Sequence, residues 1–171
     1  MRTHTITVYK FEELSKEAQE RAIGHFNTFD YEWWECEYDD AATVGLRITS
    51  FDLDRNLHAE GELTKDGKTV CKLILKNHGK ACDTYKLACA ALKARAQIVR
   101  KTENQDADSE NGLSYEGECA LEQWEADFEK DLLEEYAHML QKQADYMQSR
   151  ENIVETINAN EYEFTAEGKL V

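Results

Sequence analysis

The sequence contains no proline and is poor in positive charge. Its 171 residues carry 20 Lys and Arg against 35 Asp and Glu, a formal net charge of -15. Direct nucleic-acid binding needs a basic surface that replaces phosphate counterions, so the charge balance argues against it. No apolar run reaches the roughly 18 residues of a membrane-spanning helix, and residues 1–5 lack the apolar segment of a secretion signal. We therefore expect a cytoplasmic protein without membrane contact.

The motifs of common enzyme classes are missing as well. The chain has no glycine-rich phosphate loop, no GxSxG, no HExxH and no GxGxxG. Its histidines are scattered and its cysteines include no CxxC pair, which favours reduced thiols over disulfides or a zinc site. Cys82 and Cys89 are interpreted as small buried hydrophobes. We expect a protein that is not an enzyme and that uses no metal or cofactor.

Local periodicity predicts an α+β fold, with a small antiparallel sheet packed with helices and a long antiparallel helical hairpin. Alternating residues predict a strand over 3–10 and a hairpin of 46–54 with 57–63, with a change of face near Ser50. Residues 162–171 predict a short terminal hairpin. Apolar residues at spacings of three and four predict helices over 15–28, 31–44, 66–78, 83–100, 118–148 and 149–160.

We expect residues 1–171 to form a single domain in three parts. An α+β body covers 3–82, and the helical hairpin covers 83–148. Residues 102–117 contain Asn, Asp, Ser and Gly with few apolar residues, so they predict a flexible loop inside that hairpin. The last part, 149–171, comprises a helix and the terminal hairpin.

Charge is distributed unevenly along the chain. Residues 67–101 carry nine bases and one acid, whereas residues 30–66 carry eleven acids and three bases. Residues 102–135 are more acidic still, with thirteen acids and one base. A basic block therefore lies between two acidic ones. The sequence leaves open whether this block pairs internally with the acidic helix.

The densest acidic stretch predicts the main candidate site, a carboxylate stripe on the helix 118–148. Like charges three or four residues apart destabilise a helix by roughly a few tenths of a kcal/mol per pair, so their repetition favours a functional role. The competing interpretation is pairing with the basic helix, together with a favourable helix dipole. The predicted partner-binding residues are Glu118, Glu122, Glu125, Asp127, Glu129 and Asp131.

A second candidate is the acid-aromatic segment 30–40. Neighbouring tryptophans point about 100° apart on a helix, so we expect one of the pair at 33 and 34 to be exposed. An exposed tryptophan among carboxylates suits the anchoring of a basic partner, and the predicted contacts are Trp33, Glu37 and Asp40. The competing interpretation is a core aromatic residue with solvated acids on the opposite face.

A third candidate is the acidic hairpin, where Asp52, Asp54, Glu60 and Glu62 lie near His58. Carboxylates across a hairpin could hold a divalent cation for phosphodiester chemistry. A solvated polar face is the competing interpretation, and we expect it to be the correct one.

Four phrases of the chain carry a family resemblance. They are FEELSKEAQERAI, DYEWWE, GLRITSFDLDR and ETINANEYEFTAEGKLV. Together they resemble an uncharacterised family of small acidic proteins from phages, prophages and bacterial mobile elements, some of them loosely labelled as antitoxins of toxin–antitoxin systems. The resemblance covers about residues 9–171 and includes no catalytic motif. It implies a small protein that acts in the cytoplasm of a bacterial host.

We therefore expect a non-enzymatic binding protein of phage or mobile-element origin. It would inhibit a basic host protein that handles nucleic acid or serves defence, in the manner of anti-CRISPR or anti-restriction proteins, by charge mimicry and occlusion. Reversal of Glu122, Glu125 and Glu129 to lysine should abolish binding and leave the fold intact. Two alternatives stay open, an antitoxin that neutralises a small basic toxin and a metal-dependent nuclease or phosphodiesterase. A homodimer built on the helix 118–148 is compatible with each.

Overall fold

The computed structural model describes residues 7–26, 32–103 and 112–171. Within these ranges the chain has six α-helices and four strands, which pair as two antiparallel two-stranded sheets. The predicted α+β class is confirmed, but two small sheets replace the single predicted sheet. No helix in the described ranges is both long and apolar enough to cross a membrane.

The chain divides into two compact units, Met1–Trp33 with Lys142–Val171, and Trp34–Gln141. In the first unit, a short 3-10 turn at Phe11–Glu13 separates the first strand from the first helix. Its other elements in chain order are β1 (Tyr9–Lys10), α1 (Lys16–His25), α6 (Arg150–Ala159) and β4 (Glu163–Phe164), and β1 pairs antiparallel with β4.

Serine side chains cap the N-termini of α1 and α6. Ser15 Oγ accepts the amide of Ala18 at 3.3 Å, and Ser149 Oγ accepts the amide of Asn152 at 3.2 Å. The predicted terminal hairpin is confirmed, because an antiparallel bridge joins positions 164 and 170. The core of this unit consists of Phe11, Leu14, Ala18, Ala22, Ile153, Ile157 and Phe164.

The second unit contains a β-hairpin and four helices. Its elements in chain order are α2 (Glu35–Val44), β2 (Leu46–Asp52), β3 (His58–Leu63), α3 (Gly67–Asn77), α4 (Asp83–Thr102) and α5 (Tyr115–Met147), of which residues 115–141 belong to this unit. Gly45 ends α2 with a φ of 90°, which glycine adopts without strain. Asp66 is the N-cap residue of α3, and its side chain accepts a hydrogen bond from the amide of Thr69 at 3.0 Å.

The β2–β3 hairpin contains the irregularity that the sequence predicts near Ser50. Ile48 lies opposite Gly61 and Ser50 lies opposite Glu60, so one extra residue is inserted in β2 between two consecutive pairs. Because of this bulge, Phe51 lies on the same face of the hairpin as Ile48, and its ring contacts Trp34 and Tyr38.

Helix α5 supplies the largest part of the core of the second unit. Trp124, Phe128, Leu132 and Tyr136 recur at spacings of four, which places them on one face of the helix. They pack against Val70 and Ile74 of α3, α4 and the hairpin. Glu103 and Leu113 form an antiparallel bridge that joins α4 to α5, so the predicted helical hairpin is confirmed.

Several predicted boundaries are wrong. The strand 3–10 lies partly outside the described residues, and its described part is a strand only at Tyr9–Lys10, because β4 offers just two residues for pairing. The helix 31–44 begins at Glu35, and residue 31 lies outside the described ranges. The predicted loop 102–117 is shorter at both ends, since Thr102 belongs to α4 and α5 begins at Tyr115. Residues 104–111 of that loop lie outside the described part.

The cysteines differ from one another in exposure. All five are free thiols, and Cys71 in α3 is buried in the core, where burial raises the pKa of its thiol to about 12. Cys89 is half-buried, whereas Cys82 is exposed at the start of α4. The interpretation of Cys82 as a core residue is therefore wrong.

We predict that Gly61→Ala destabilises the second unit. A β-carbon at this position would overlap the carbonyl oxygen of Arg47 on the paired strand, so β2 and β3 would have to separate. We expect the free energy of unfolding in urea to fall by about 1–3 kcal/mol. Gly79→Ala is the matched control, because its β-carbon would meet only Cys82 Sγ at 3.8 Å. An equal effect of the two substitutions would contradict the account of the hairpin.

Candidate functional site

The buried face of α5 determines where its carboxylates point. Trp124 Nε1 donates to the carbonyl oxygen of Ala91 at 2.9 Å, which attaches α5 to α4. The Trp124 ring also stacks on Phe128 with a centroid distance of 5.9 Å. Arg95 lies over the same ring at 5.8 Å, within the range of a cation–π contact. These contacts fix the rotation of α5 about its axis, so its acids fall into an inner set and an outer set.

The inner set consists of Glu125 and Glu129, which bind backbone groups of the same unit. Glu125 Oε1 accepts the amide of Gly67 at 2.6 Å, and Glu129 Oε2 accepts the amide of Leu63 at 2.9 Å. Gly67 is the first residue of α3, where amides have no partner inside the helix and the helix dipole favours a negative charge. Both carboxylates are therefore expected to stabilise the fold, and lysine at these two positions would remove the acceptors of both amides.

The outer set contains the remaining predicted acids of α5. Glu122, Asp127 and Asp131 are exposed, and Glu118 is half-buried. Asp127 accepts a hydrogen bond of 2.8 Å from Gln123 on the same helix. Among the described residues, no ion pair within 4.0 Å involves any of these four carboxylates.

The basic block does not neutralise this outer set through close pairs. Lys86 of α4 pairs with Asp83 on its own helix at 2.8 Å, and Arg95 faces Trp124. In the described part of the chain, no ion pair joins a base of α4 to an acid of α5. The internal pairing that the sequence left open is therefore not formed at contact distance in these ranges.

Two acids of the acid-aromatic segment, Glu37 and Asp40, are half-buried on α2, and Asp40 contacts other elements of the second unit. Asp40 Oδ2 accepts the hydroxyl of Tyr136 at 2.8 Å, and His78 Nε2 lies 3.5 Å from the same oxygen. His78 Nδ1 lies 2.7 Å from the hydroxyl of Thr84. Burial raises the pKa of Glu37, with a further contribution from the nearby charge of Asp40. Asp40 thus belongs to a polar network that connects α2, the end of α3, α4 and α5. Glu37 lies near it, but within the described residues its Oε2 has no hydrogen-bond partner.

The two tryptophans of this segment are both half-buried, so neither is the fully exposed anchor that we expected. Trp34 contacts Phe51 of β2 edge-to-face with a centroid distance of 5.8 Å, and Tyr38 contacts the same ring at 6.3 Å. Trp33 makes contacts of its own. The outer set of α5 is therefore the better candidate for partner binding.

The carboxylates of the β2–β3 hairpin bind neighbouring groups and do not converge on a common metal site. Asp52 Oδ1 accepts the amides of Asp54 at 2.9 Å and Arg55 at 3.2 Å, and these bonds lower the pKa of Asp52. Glu60 accepts a hydrogen bond from the Ser50 hydroxyl at 2.8 Å, and Glu62 forms an ion pair with Arg47 across the two strands. In the described ranges, no group of three or more His, Cys, Asp or Glu residues could hold a metal ion.

Two features of the site escape sequence reasoning. The backbone bonds of Glu125 and Glu129 link positions 58 and 66 residues apart, and the Tyr136–Asp40 bond spans 96 residues. No local pattern marks such contacts.

The chain matches no protein-family model, no curated protein and no solved structure.

We predict that Glu125→Ala lowers the free energy of unfolding by about 1–3 kcal/mol, because the buried amide of Gly67 loses its acceptor. Glu122→Ala is the matched control, since this acid lies one turn away and is exposed. Its effect should stay within about 0.5 kcal/mol. Urea denaturation followed by tryptophan fluorescence measures both values. Equal effects would show that the inner carboxylates do not stabilise the fold.

Proposed function

We propose that this chain is a non-enzymatic binding protein that presents the outer carboxylates of α5 to a basic partner. The partner class is a bacterial host protein that handles nucleic acid or serves in defence, and the protein inhibits it by occupying its phosphate-binding surface. The family resemblance supplies the biological setting of this proposal. The charge and geometry of α5 supply its physical basis.

One observation carries the proposal. The outer acids have no ion-pair partner at contact distance within the described residues, although the basic helix α4 packs beside α5. Basic and acidic side chains that lay within reach would normally relieve part of the like-charge repulsion along the helix. An acidic face that remains unpaired in the free protein is suited to pairing with an external cationic surface.

The spacing of the charges supports partial mimicry of a phosphate backbone. From Glu118 to Glu135 the axis of α5 rises by roughly 26 Å, at about 1.5 Å per residue. Eight acids lie in this stretch, and two of them bind the amides of Gly67 and Leu63. The remaining six give about one charge per 4 Å of helix axis, against about one per 1.7 Å in duplex DNA. They are divided between two flanks of α5, with Glu118 and Glu122 on the flank of Glu125 and with Asp127, Asp131 and Glu134 on the flank that faces α4. Such a charge density would accelerate association with a basic partner and make binding sensitive to salt.

We predict that substitution of the outer face abolishes partner capture without unfolding the protein. The test variant carries Asp127→Asn, Asp131→Asn and Glu134→Gln, three exposed positions of α5. The control variant carries Glu12→Gln, Glu155→Gln and Glu167→Gln, which remove the same charge from exposed positions elsewhere. The tagged full-length chain is incubated with a bacterial lysate, and retained proteins are eluted first with duplex DNA and then with high salt.

The wild-type chain and the control should retain a basic protein that duplex DNA releases, and the α5 variant should lose it by about tenfold or more. Equal loss of the captured protein in both variants would show that capture depends on the net charge of the chain and not on the acids of α5. Retention by the α5 variant, or a partner that DNA cannot displace, would contradict the proposal. Circular dichroism of all three chains checks that the fold is preserved.

A further inference from the structure

An open apolar groove runs between α4 and α5, and two acids of the outer set, Asp127 and Asp131, line it. Its volume is about 520 Å³. The lining from α4 includes Leu87, Ala91 and Ile98, and the lining from α5 includes Trp124 and Phe128. These apolar side chains share the groove with the polar residues Gln123, Asp127 and Asp131 of α5.

The groove stays open because the helices carry alanine where larger side chains would close it. Ala90 and Ala94 lie one turn apart on α4, both are exposed, and both line the groove. Ala120 lines it from α5. Side chains of this size allow another helix to approach closely, since packed helix axes lie about 8–10 Å apart. The stretch from Leu87 to Ile98 spans roughly 16 Å, the length of about three helical turns.

One edge of the groove is acidic and the other is not. Gln123, Asp127 and Asp131 line it from α5 at successive spacings of four, so they form one row parallel to the groove. On α4 the corresponding exposed lining residues are alanines. A helix in the groove would therefore have carboxylates along one flank only.

We propose that this groove receives one amphipathic helix of the basic partner. Its apolar stripe would lie on Ala94, Ile98 and Ala120, and lysine or arginine residues four apart on one flank would face Asp127 and Asp131. This inference rests on the proposed function and specifies the form of the partner that the acidic face recognises. Helix-in-groove recognition supplies affinity through the apolar stripe, and the charged row selects the orientation.

Charge favours a basic partner over a second copy of this chain. Each copy carries a formal charge of -15, so self-association brings two strongly negative molecules together. A cationic helix instead relieves the repulsion among the outer carboxylates. The homodimer expected as an alternative from the sequence is an outcome that the test below distinguishes.

The test uses fluorescence anisotropy of a labelled amphipathic peptide of about 18 residues, with leucines at helical spacing and lysines four apart on one flank. A matched peptide carries glutamate in place of those lysines. The full-length chain is compared with Ala94→Gln, which places a longer neutral side chain in the groove. Ala96→Gln is the control, because Ala96 is exposed on the same helix and does not line the groove.

We expect saturable binding of the lysine peptide, weakened about tenfold or more by Ala94→Gln and unchanged by Ala96→Gln. The double variant Asp127→Asn with Asp131→Asn should weaken it similarly, and the glutamate peptide should not bind. Absence of saturable binding, or equal effects at positions 94 and 96, would overturn the proposal. Sedimentation equilibrium that shows a dimer dissociated by Ala94→Gln would assign the groove to a second copy and also overturn it.

The lysate experiment separates failure of this inference from failure of the proposed function. If Ala94→Gln still captures the DNA-displaceable partner while the α5 charge variant loses it, the acidic face binds without the groove. If neither the wild-type chain nor any variant captures such a partner, the proposed function itself is contradicted.

Discussion

Burial of one face of α5 is the constraint on which the second unit depends. Trp124, Phe128, Leu132 and Tyr136 occupy successive turns of that face, and three of them are at most 3% exposed. Because a helix is rigid, packing this face fixes the direction of every other side chain along it. Rotation of α5 by one residue would remove the Trp124 bond to α4 and move both inner carboxylates away from the amides they accept. The position of the acids is thus a consequence of the core.

The same packing gives the acidic stripe two roles. Glu125 and Glu129 satisfy amides at the start of α3 and the end of β3, where an unpaired buried group would be costly. In the described part of the chain, the outer acids accept no backbone amide. Asp127 and Asp131 also line an apolar groove. A stability role therefore accounts for part of the charge on α5, and partner binding is our proposal for the rest.

Local patterns predicted most elements and few long-range contacts. Alternation located β2, β3 and the bulge near Ser50, and periodicity located the starts of α1 and α6 to within one residue. Periodicity located α4 and α5 but treated all acids of α5 as equivalent, because the amides that Glu125 and Glu129 accept belong to residues 58 and 66 positions away along the chain. The polar network of Asp40, Tyr136 and His78 has no sequence signature for the same reason. The division into two sheets depends on β1 pairing with β4 across more than 150 residues.

Amide chemical shifts of the isotope-labelled full-length chain, recorded with and without the captured partner, test the central claim most directly. The account predicts perturbations along the outer edge of α5 at Asp127 and Asp131 and at Ala94 on α4. The amides of Leu63 and Gly67 should keep their shifts, because their carboxylate acceptors stay in place. Perturbations confined to the β2–β3 hairpin or to the first unit, with α5 unaffected, would contradict it.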